Sequence, residues 1–564
     1  MLPFKHHQRL NRVVPIVVLL FTLTAFLFLY QHTQEQRRQD DIQRAQQEQL
    51  ELAQQKEQKE LEKQRYLEWI DQQRTVHEPI LNDTKKIDQF DRLIKTHDIA
   101  IPSPLPPWTG TILSKKKKIV LFLFSDSIKK NIIPFNFSTI PDADEQLLQM
   151  SLGASIRADL LTTHEIKVDF RQITSQQRVY KSLYQYFDTL LAAQTDVLSD
   201  EKYKASWDLF ISLEKQLYPW IHPYWENVFA INSVKNNTTT ASDRGIVMCV
   251  GDSQFHFAIR TIQAIRTILQ CDLPIEIFAI DDDDLSPAKR ATLTELFKDV
   301  SVYNIADRIN EEGTDFVGWA LKPFAALASS FQQVILMDAD VYFFQSPTTL
   351  FDDPGYKATG TLFFYDRTLF GDWTVGRHWL DSFLPSTSSL VPHLRWWNYL
   401  SAHEQESGVV VIDKKRSLLG LLATCKMNAK RERQISYDHA HGDKETFWIG
   451  YEMVQTPYAF VKSHGGVLGG LGDGGDPSRV CGNILHLDAY QKPYWWNGGL
   501  LRDKNKWPDR YMKFTHYAQG EDWDFDTSCI KETDQIHEFN NKEKGIAKLF
   551  MKADEEMKEF DLID

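Results

Sequence analysis

The chain has 564 residues, a 42% hydrophobic share and a formal net charge of −13, enough for two or three domains with buried cores. Basic clusters are few, the longest being Lys115 to Lys118, so no nucleic-acid partner is expected. Aromatic residues are abundant, with 15 Trp, 20 Tyr and 34 Phe, a supply that suits core filling and sugar stacking alike.

Lys5, Arg9 and Arg12 precede an uncharged apolar stretch over residues 13–30. A helix of that length rises about 27 Å, close to the thickness of a bilayer core. The positive-inside rule then predicts a cytosolic tail over 1–12, a transmembrane signal-anchor in the lipid bilayer over 13–30, and the remainder in the lumen. A cleaved signal peptide is the rival reading, but no small-x-small site follows Tyr30. Residues 31–110 read as a luminal stem. Within it, 33–78 is rich in Gln, Glu, Arg and Lys, and its apolar residues are too sparse for a packed core or a firm heptad. Ile101-Pro102-Ser103-Pro104-Leu105-Pro106-Pro107 marks a stiff boundary. Sequons at Asn82, Asn136, Asn236 and Asn237 accord with a luminal setting. Five cysteines (Cys249, Cys271, Cys425, Cys481 and Cys529) allow at most two internal disulfides, and Cys249 reads as a buried thiol. Residues 111–243 carry no motif and read as an accessory luminal region or an N-terminal extension of the domain that follows.

From Gly245 onward strands and helices alternate. Ile246 to Val250 is a strand, Gly251-Asp252-Ser253 a turn, and Phe257 to Ile268 an amphipathic helix. Pro274 to Ile280 is the second strand, stopped by Asp281 to Asp284, and Ser286-Pro287 opens a helix to about Lys298. Val300 to Ile305 is the third strand, and Trp319 to Phe331 the third helix. The β-α-β-α-β-α-β order implies a mainly parallel sheet between helices. No Gly-x-Gly-x-x-Gly or Walker lysine is present, which weakens dinucleotide and P-loop readings.

The next strand, Phe331 to Leu336, runs into Met337-Asp338-Ala339-Asp340. Two carboxylates at the mouth of an α/β sheet can hold a divalent cation, which in turn can hold a diphosphate. Capping aspartates are the ordinary alternative.

The segments Gly245 to Gly251, Leu273 to Phe278, Leu321-Lys322-Pro323 to Phe331, Asp338/Asp340, Glu406-Ser407-Gly408-Val409-Val410 and His441-Gly442-Asp443-Lys444-Glu445 to Trp448 occur in that order. Over roughly residues 244–500 this series resembles the fungal Mnn1-type α-1,3-mannosyltransferase family. The resemblance implies a GT-A fold for 244–564, with a Rossmann-like mixed, mainly parallel sheet. It implies a GDP-mannose donor, a mannose-terminated N- or O-glycan acceptor, Mn²⁺ or another divalent cation, and retention of configuration. A Golgi type II membrane enzyme, in a Golgi mannosyltransferase complex or alone, would follow.

On that footing Asp338 and Asp340 are expected metal ligands, with His486 as the third and His464 in reserve; a core histidine is the alternative for His486. Lys322 would meet the diphosphate or the metal carboxylates, or else be a solvated helix-end lysine. Asp338, Gly251 and Asp281 are further GDP-mannose contacts. Asp443 and Glu445 are candidate catalytic carboxylates, or a plain charged helix start. The seven glycines of 465–475 read equally as a lid or a flexible loop. Tyr494 to Gly499 reads as a stacking surface for acceptor mannose or a buried aromatic turn. An α-1,2-mannosyltransferase, a lectin-like non-catalytic subunit and a luminal glycosidase are the competing functions.

Overall fold

The computed structural model describes residues 168–563, apart from 195, 234–242, 474, 503–509, 526–527 and 531–534. The expected tail, signal-anchor, stem and sequons lie outside the described residues. Among those described, no helix is long and apolar enough to cross a membrane.

Two helices lead in, α1 (Phe170–Ala192) and α2 (Glu201–Leu217). Asp169 caps α1, its side chain accepting from the backbone N–H groups of Arg171 and Gln172. Next come β1 (Arg244–Cys249), α3 (Phe255–Gln263), β2 (Ile275–Ala279), α4 (Pro287–Leu296) and β3 (Val300–Asn304). α5 (Leu321–Ala328) and β4 (Gln333–Met337) complete the run. Each strand falls where β-branched and aromatic residues cluster between turn formers. At α4 the Ser286 side chain makes no cap bond; its backbone N–H instead donates to Oδ1 of Asp252 at 2.8 Å.

The chain then adds β5 (Tyr342–Phe343), β6 (Thr361–Tyr365), β7 (Gln405–Asp413), α6 (Lys414–Asn428), α7 (Thr446–Val454) and β8 (Ala459–Phe460). The central sheet has the order β3-β2-β1-β4-β7-β6-β8. β1 to β4 are parallel, and β7 inserts antiparallel between β4 and β6. The expected mixed, mainly parallel sheet with flanking helices is therefore what forms. All nine residues of β7 are buried. Val409 to Ile412 have no exposed surface, and each such side chain contributes about 2 kcal/mol by leaving water.

A second, antiparallel sheet follows. Its order is β13 (Trp523–Asp524), β14 (Cys529–Ile530), β10 (Val480–Leu487), β9 (Gly466–Leu471), β12 (His516–Ala518), β15 (Ile536–Glu538). β11 (Pro493–Trp496) pairs with β10 on one side and with β5 on the other, joining this sheet to the chain just beyond Asp340. A Cys481–Cys529 disulfide links β10 to β14, while Cys249, Cys271 and Cys425 are free. The glycine-rich stretch is neither lid nor loose loop along its first half. β9 is hydrogen-bonded to β10 and β12, and this long-range pairing overrides the local freedom of its glycines.

The N-terminal helices bind the same body. Nε of Arg178 donates to Met453 O at 2.7 Å and Nη2 to Glu452 O at 3.2 Å; Nζ of Lys181 donates to Val454 O at 2.7 Å. Two cations from α1 thus satisfy the carbonyls that the C-terminus of α7 leaves open.

Candidate functional site

Strand order reverses between β1 and β4, and at such a switch point the carboxyl ends of the strands part to leave a crevice. Asp338-Ala339-Asp340 lies there, its backbone pinned from three sides. Asp338 N–H donates to Gly408 O at 2.9 Å, and Gly499 N–H donates to Asp340 O at 2.8 Å. Oγ1 of Thr261, from α3, donates to Ala339 O at 2.7 Å. The side chains of Asp338 and Asp340 line a cavity of about 320 Å³.

Two charge clusters form its wall. In the first, Nζ of Lys322 lies 2.8 Å from Oδ1 of Asp338 and 3.4 Å from Oδ2 of Asp443, and donates to Ser407 O at 2.7 Å. In the second, Nζ of Lys444 lies 2.6 Å from Oδ2 of Asp366 and 2.9 Å from Oε2 of Glu406. Asn497 joins them, its Nδ2 donating to Oε1 of Glu406 at 3.0 Å and approaching Oδ2 of Asp338 at 3.5 Å. Gly408 makes this junction possible: a Cβ there would stand 2.6 Å from Nδ2 of Asn497.

Burial and pairing oppose each other at these groups. Burial works to lower the Lys322 pKa, but Asp338 and Asp443 outweigh it and the ammonium titrates higher than usual. Lys444 is raised in the same way against burial by Asp366 and Glu406. Asp443 is raised by burial, with Lys322 pulling back only in part. Glu406 is lowered because Lys444 outweighs its burial.

Sequence reasoning and structure part at several residues. Glu445 does not line the cavity. Its Oε2 accepts from Nε1 of Trp448 at 2.6 Å and its Oε1 from Glu404 N–H at 2.9 Å, and burial pushes its pKa up to about 8. It braces the start of α7. Gly251 and Asp281 also lie off the cavity. Gly251 N–H donates to Oε1 of Gln254, and Oδ1 of Asp281 closes its own turn by accepting from Asp283 and Asp284. Lys322 meets the carboxylates, its ammonium enclosed by Asp338, Ser407 and Asp443.

The expected Asp338/Asp340/His486 triad is not assembled: among the described residues no three His, Cys, Asp or Glu side chains group so as to hold a metal. His486 is fully buried on β10, stacked 3.9 Å from Trp495, with neither ring nitrogen hydrogen-bonded. Burial lowers its pKa to about 4. His464 pairs with Glu521 at 2.6 Å. Trp495 and Trp496 have no exposed surface and lie in strand β11 rather than in a turn, so they offer no stacking face, although Asn497 reaches the cavity. Among the described residues that line the cavity, Asp338 and Asp340 are the carboxylates that directly follow β4 and would hold a cation. Four wall carboxylates (Asp338, Asp340, Glu406, Asp443) face three cations (Lys322, Arg367, Lys444). That excess, and a two-carboxylate donor set, suit a hard divalent ion that keeps waters or takes phosphate oxygens.

Asp366 had no local signal in the sequence. Glu406, Lys444 and Asn497 sat inside motifs that the sequence does mark, without these contacts being legible there.

Residues 243–488 match the family described as "Mannosyltransferase putative", which bears out the resemblance carried by the ordered motifs. The alpha-1,3-mannosyltransferase MNT3 of Saccharomyces cerevisiae is 26% identical over 310 residues, covering 48% of this chain and 48% of that protein. The alpha-1,3-mannosyltransferase MNT2 of the same yeast is 25% identical over 329 residues, covering 51% of this chain and 56% of that protein. The chain spans about half the length of the curated relatives it matches. The solved Mn/GDP form of core-mannan synthase A from Aspergillus fumigatus superposes with a TM-score of 0.28 and 9% identity, over 40% of this chain and 73% of that one, a likeness too slight to weigh.

Proposed function

We propose that the chain, which matches the mannosyltransferase family along residues 243–488 and is similar to these yeast enzymes over about half its length, is a retaining GT-A mannosyltransferase. It transfers mannose from GDP-mannose to the terminal mannose of protein-linked glycans, forming α-1,3 linkages. The observation that carries this reading is the convergence of Asp338 and Asp340 with two lysine-held acid clusters on one crevice at the sheet's switch point. Asp338 and Asp340 would hold a divalent cation such as Mn²⁺, which would supply Lewis-acid neutralisation of charge developing on a departing diphosphate.

The chain's own groups do the rest. Lys322 fixes Oδ1 of Asp338 and leaves Oδ2 toward the cavity and Asn497. Asp443 is buried and held on both oxygens, Oδ1 accepting from Oγ of Ser407 at 3.3 Å and Oδ2 lying 3.4 Å from Nζ of Lys322, so it fixes that ammonium at the cavity wall. Both inner carboxylates are engaged by ammonium groups, Asp443 by Lys322 and Glu406 by Lys444, which weakens each as a nucleophile. Attack on the face from which the phosphate leaves, with that phosphate taking the acceptor's proton, needs neither. The Cys481–Cys529 bridge accords with an oxidising lumen, and the apolar stretch over 13–30 with a Golgi membrane anchor.

The test is the linkage of the product. Detergent-solubilised protein with GDP-mannose, Mn²⁺ and α-mannobiose should yield an α-1,3-linked trisaccharide. An α-1,2 product would overturn the linkage, and no transfer to a panel of mannosyl acceptors would overturn the activity.

A further inference from the structure

One aromatic residue at the cavity is unexplained by the fold. Trp319 is 56% exposed, yet it lines the same wall as Lys322 and Asp443. Its indole offers an apolar face within a lining that is otherwise mostly polar and charged. Its position is fixed from behind. The His441 ring lies 5.4 Å away, and the backbone of Gly442 packs so close that a Cβ there would come within 2.7 Å of Cε3. Gly442 also has φ +69°, so glycine suits this position on both counts.

Trp319 stands in the short 3-10 turn Gly318–Ala320 that leads into α5, three residues ahead of Lys322, whose ammonium pairs with Asp338. An apolar face with carboxylate acceptors close by matches a pyranose, whose C–H face stacks on an aromatic ring while its hydroxyls take hydrogen bonds. Asp338 and Asp340, proposed to hold the donor's diphosphate through a cation, follow directly on β4, whereas Trp319 lines the cavity from a separate segment ahead of α5. That segment is left to the second sugar, the acceptor.

Building on the mannosyl-transfer reading, we infer that Trp319 is the stacking platform for the acceptor's terminal mannose ring. The platform expected of Tyr494 to Trp496 is thus supplied by a different part of the chain.

The test pairs kinetics with a binding measurement that needs no turnover. Trp319→Ala should raise the acceptor KM about tenfold, the size of one lost ring stack. The GDP-mannose KM, donor hydrolysis without acceptor, and the melting temperature should stay at wild-type values, and Trp319→Phe should recover most of the loss. In saturation-transfer NMR, α-mannobiose should receive signal from the wild type and little from Trp319→Ala. An unchanged acceptor KM in an active Trp319→Ala protein overturns the inference, as does a rise in the donor KM alone. Mannobiose binding that depends on Trp319 without any transfer would support the platform and overturn the transferase reading. A wild type that neither binds nor transfers would overturn both.

Discussion

The ammonium of Lys322 lies between Asp338, at the end of β4, and Asp443, just ahead of α7, at 2.8 and 3.4 Å. One buried cation thereby joins two acids that are 105 residues apart in sequence (443 − 338) and otherwise repel. Replacing it by an isosteric apolar chain leaves both carboxylates uncompensated. Lys322→Met should cost about 3–5 kcal/mol of stability by chemical denaturation. It should also lower kcat roughly 100-fold, because the carboxylate that faces the donor loses its fixed orientation.

Arg178 tests whether α1 belongs to the catalytic body. Its guanidinium is buried and reaches Met453 O, Glu452 O and Ser386. Arg178→Ala leaves Glu452 O and Met453 O without the guanidinium, Lys181 remaining on Val454 O, and unfolding should become easier by about 3 kcal/mol. A midpoint shift close to zero would mean that α1 is a loosely attached appendage.

His486 supplies a pH signature. Its folded pKa, about 4, lies below the ordinary value of 6.5 because of burial. Between these values the unfolded chain binds a proton that the folded one refuses. The stability is therefore complete above pH 6.5 and is lost as pH falls toward 4, by roughly 3 kcal/mol. His486→Phe keeps the stack on Trp495 and should flatten that part of the stability–pH curve relative to wild type. Because the ring is a core group, the variant should also retain the wild-type Mn²⁺ requirement. A lost metal response would restore the ligand role expected from sequence.

Gly408 has no room for a side chain where the two charge clusters meet. A methyl group there would press on Asn497 and on Oε1 of Glu406, which stands 2.9 Å from that Cβ position. Gly408→Ala should leave the fold cooperative but lower kcat at least tenfold, by parting the two charge clusters.

What the sequence disclosed follows the reach of each signal. The parallel strands and Asp338/Asp340 were legible because apolar runs ending in acids are local patterns. His486 misled because an apolar strand carrying a histidine looks alike whether the ring faces a crevice or a tryptophan. Its partner Trp495 is set by the β10–β11 register, which no local pattern encodes. Glu445 misled for a similar reason, since two residues of spacing from Asp443 say nothing about which one faces inward at a helix start. Asp366 was invisible: it reaches Lys444 only because β6 pairs with β7 and follows a register shift between Leu362 and Phe364.

The most direct test of the account is metal-dependent transfer by the intact protein. With GDP-mannose, α-mannobiose and Mn²⁺, the wild type should release GDP and form a trisaccharide, and chelation should abolish both. Asp338→Ala and Asp340→Ala should each lose at least 100-fold in kcat/KM while remaining folded. Full activity in either folded variant would contradict the placement of the donor and its cation at the end of β4.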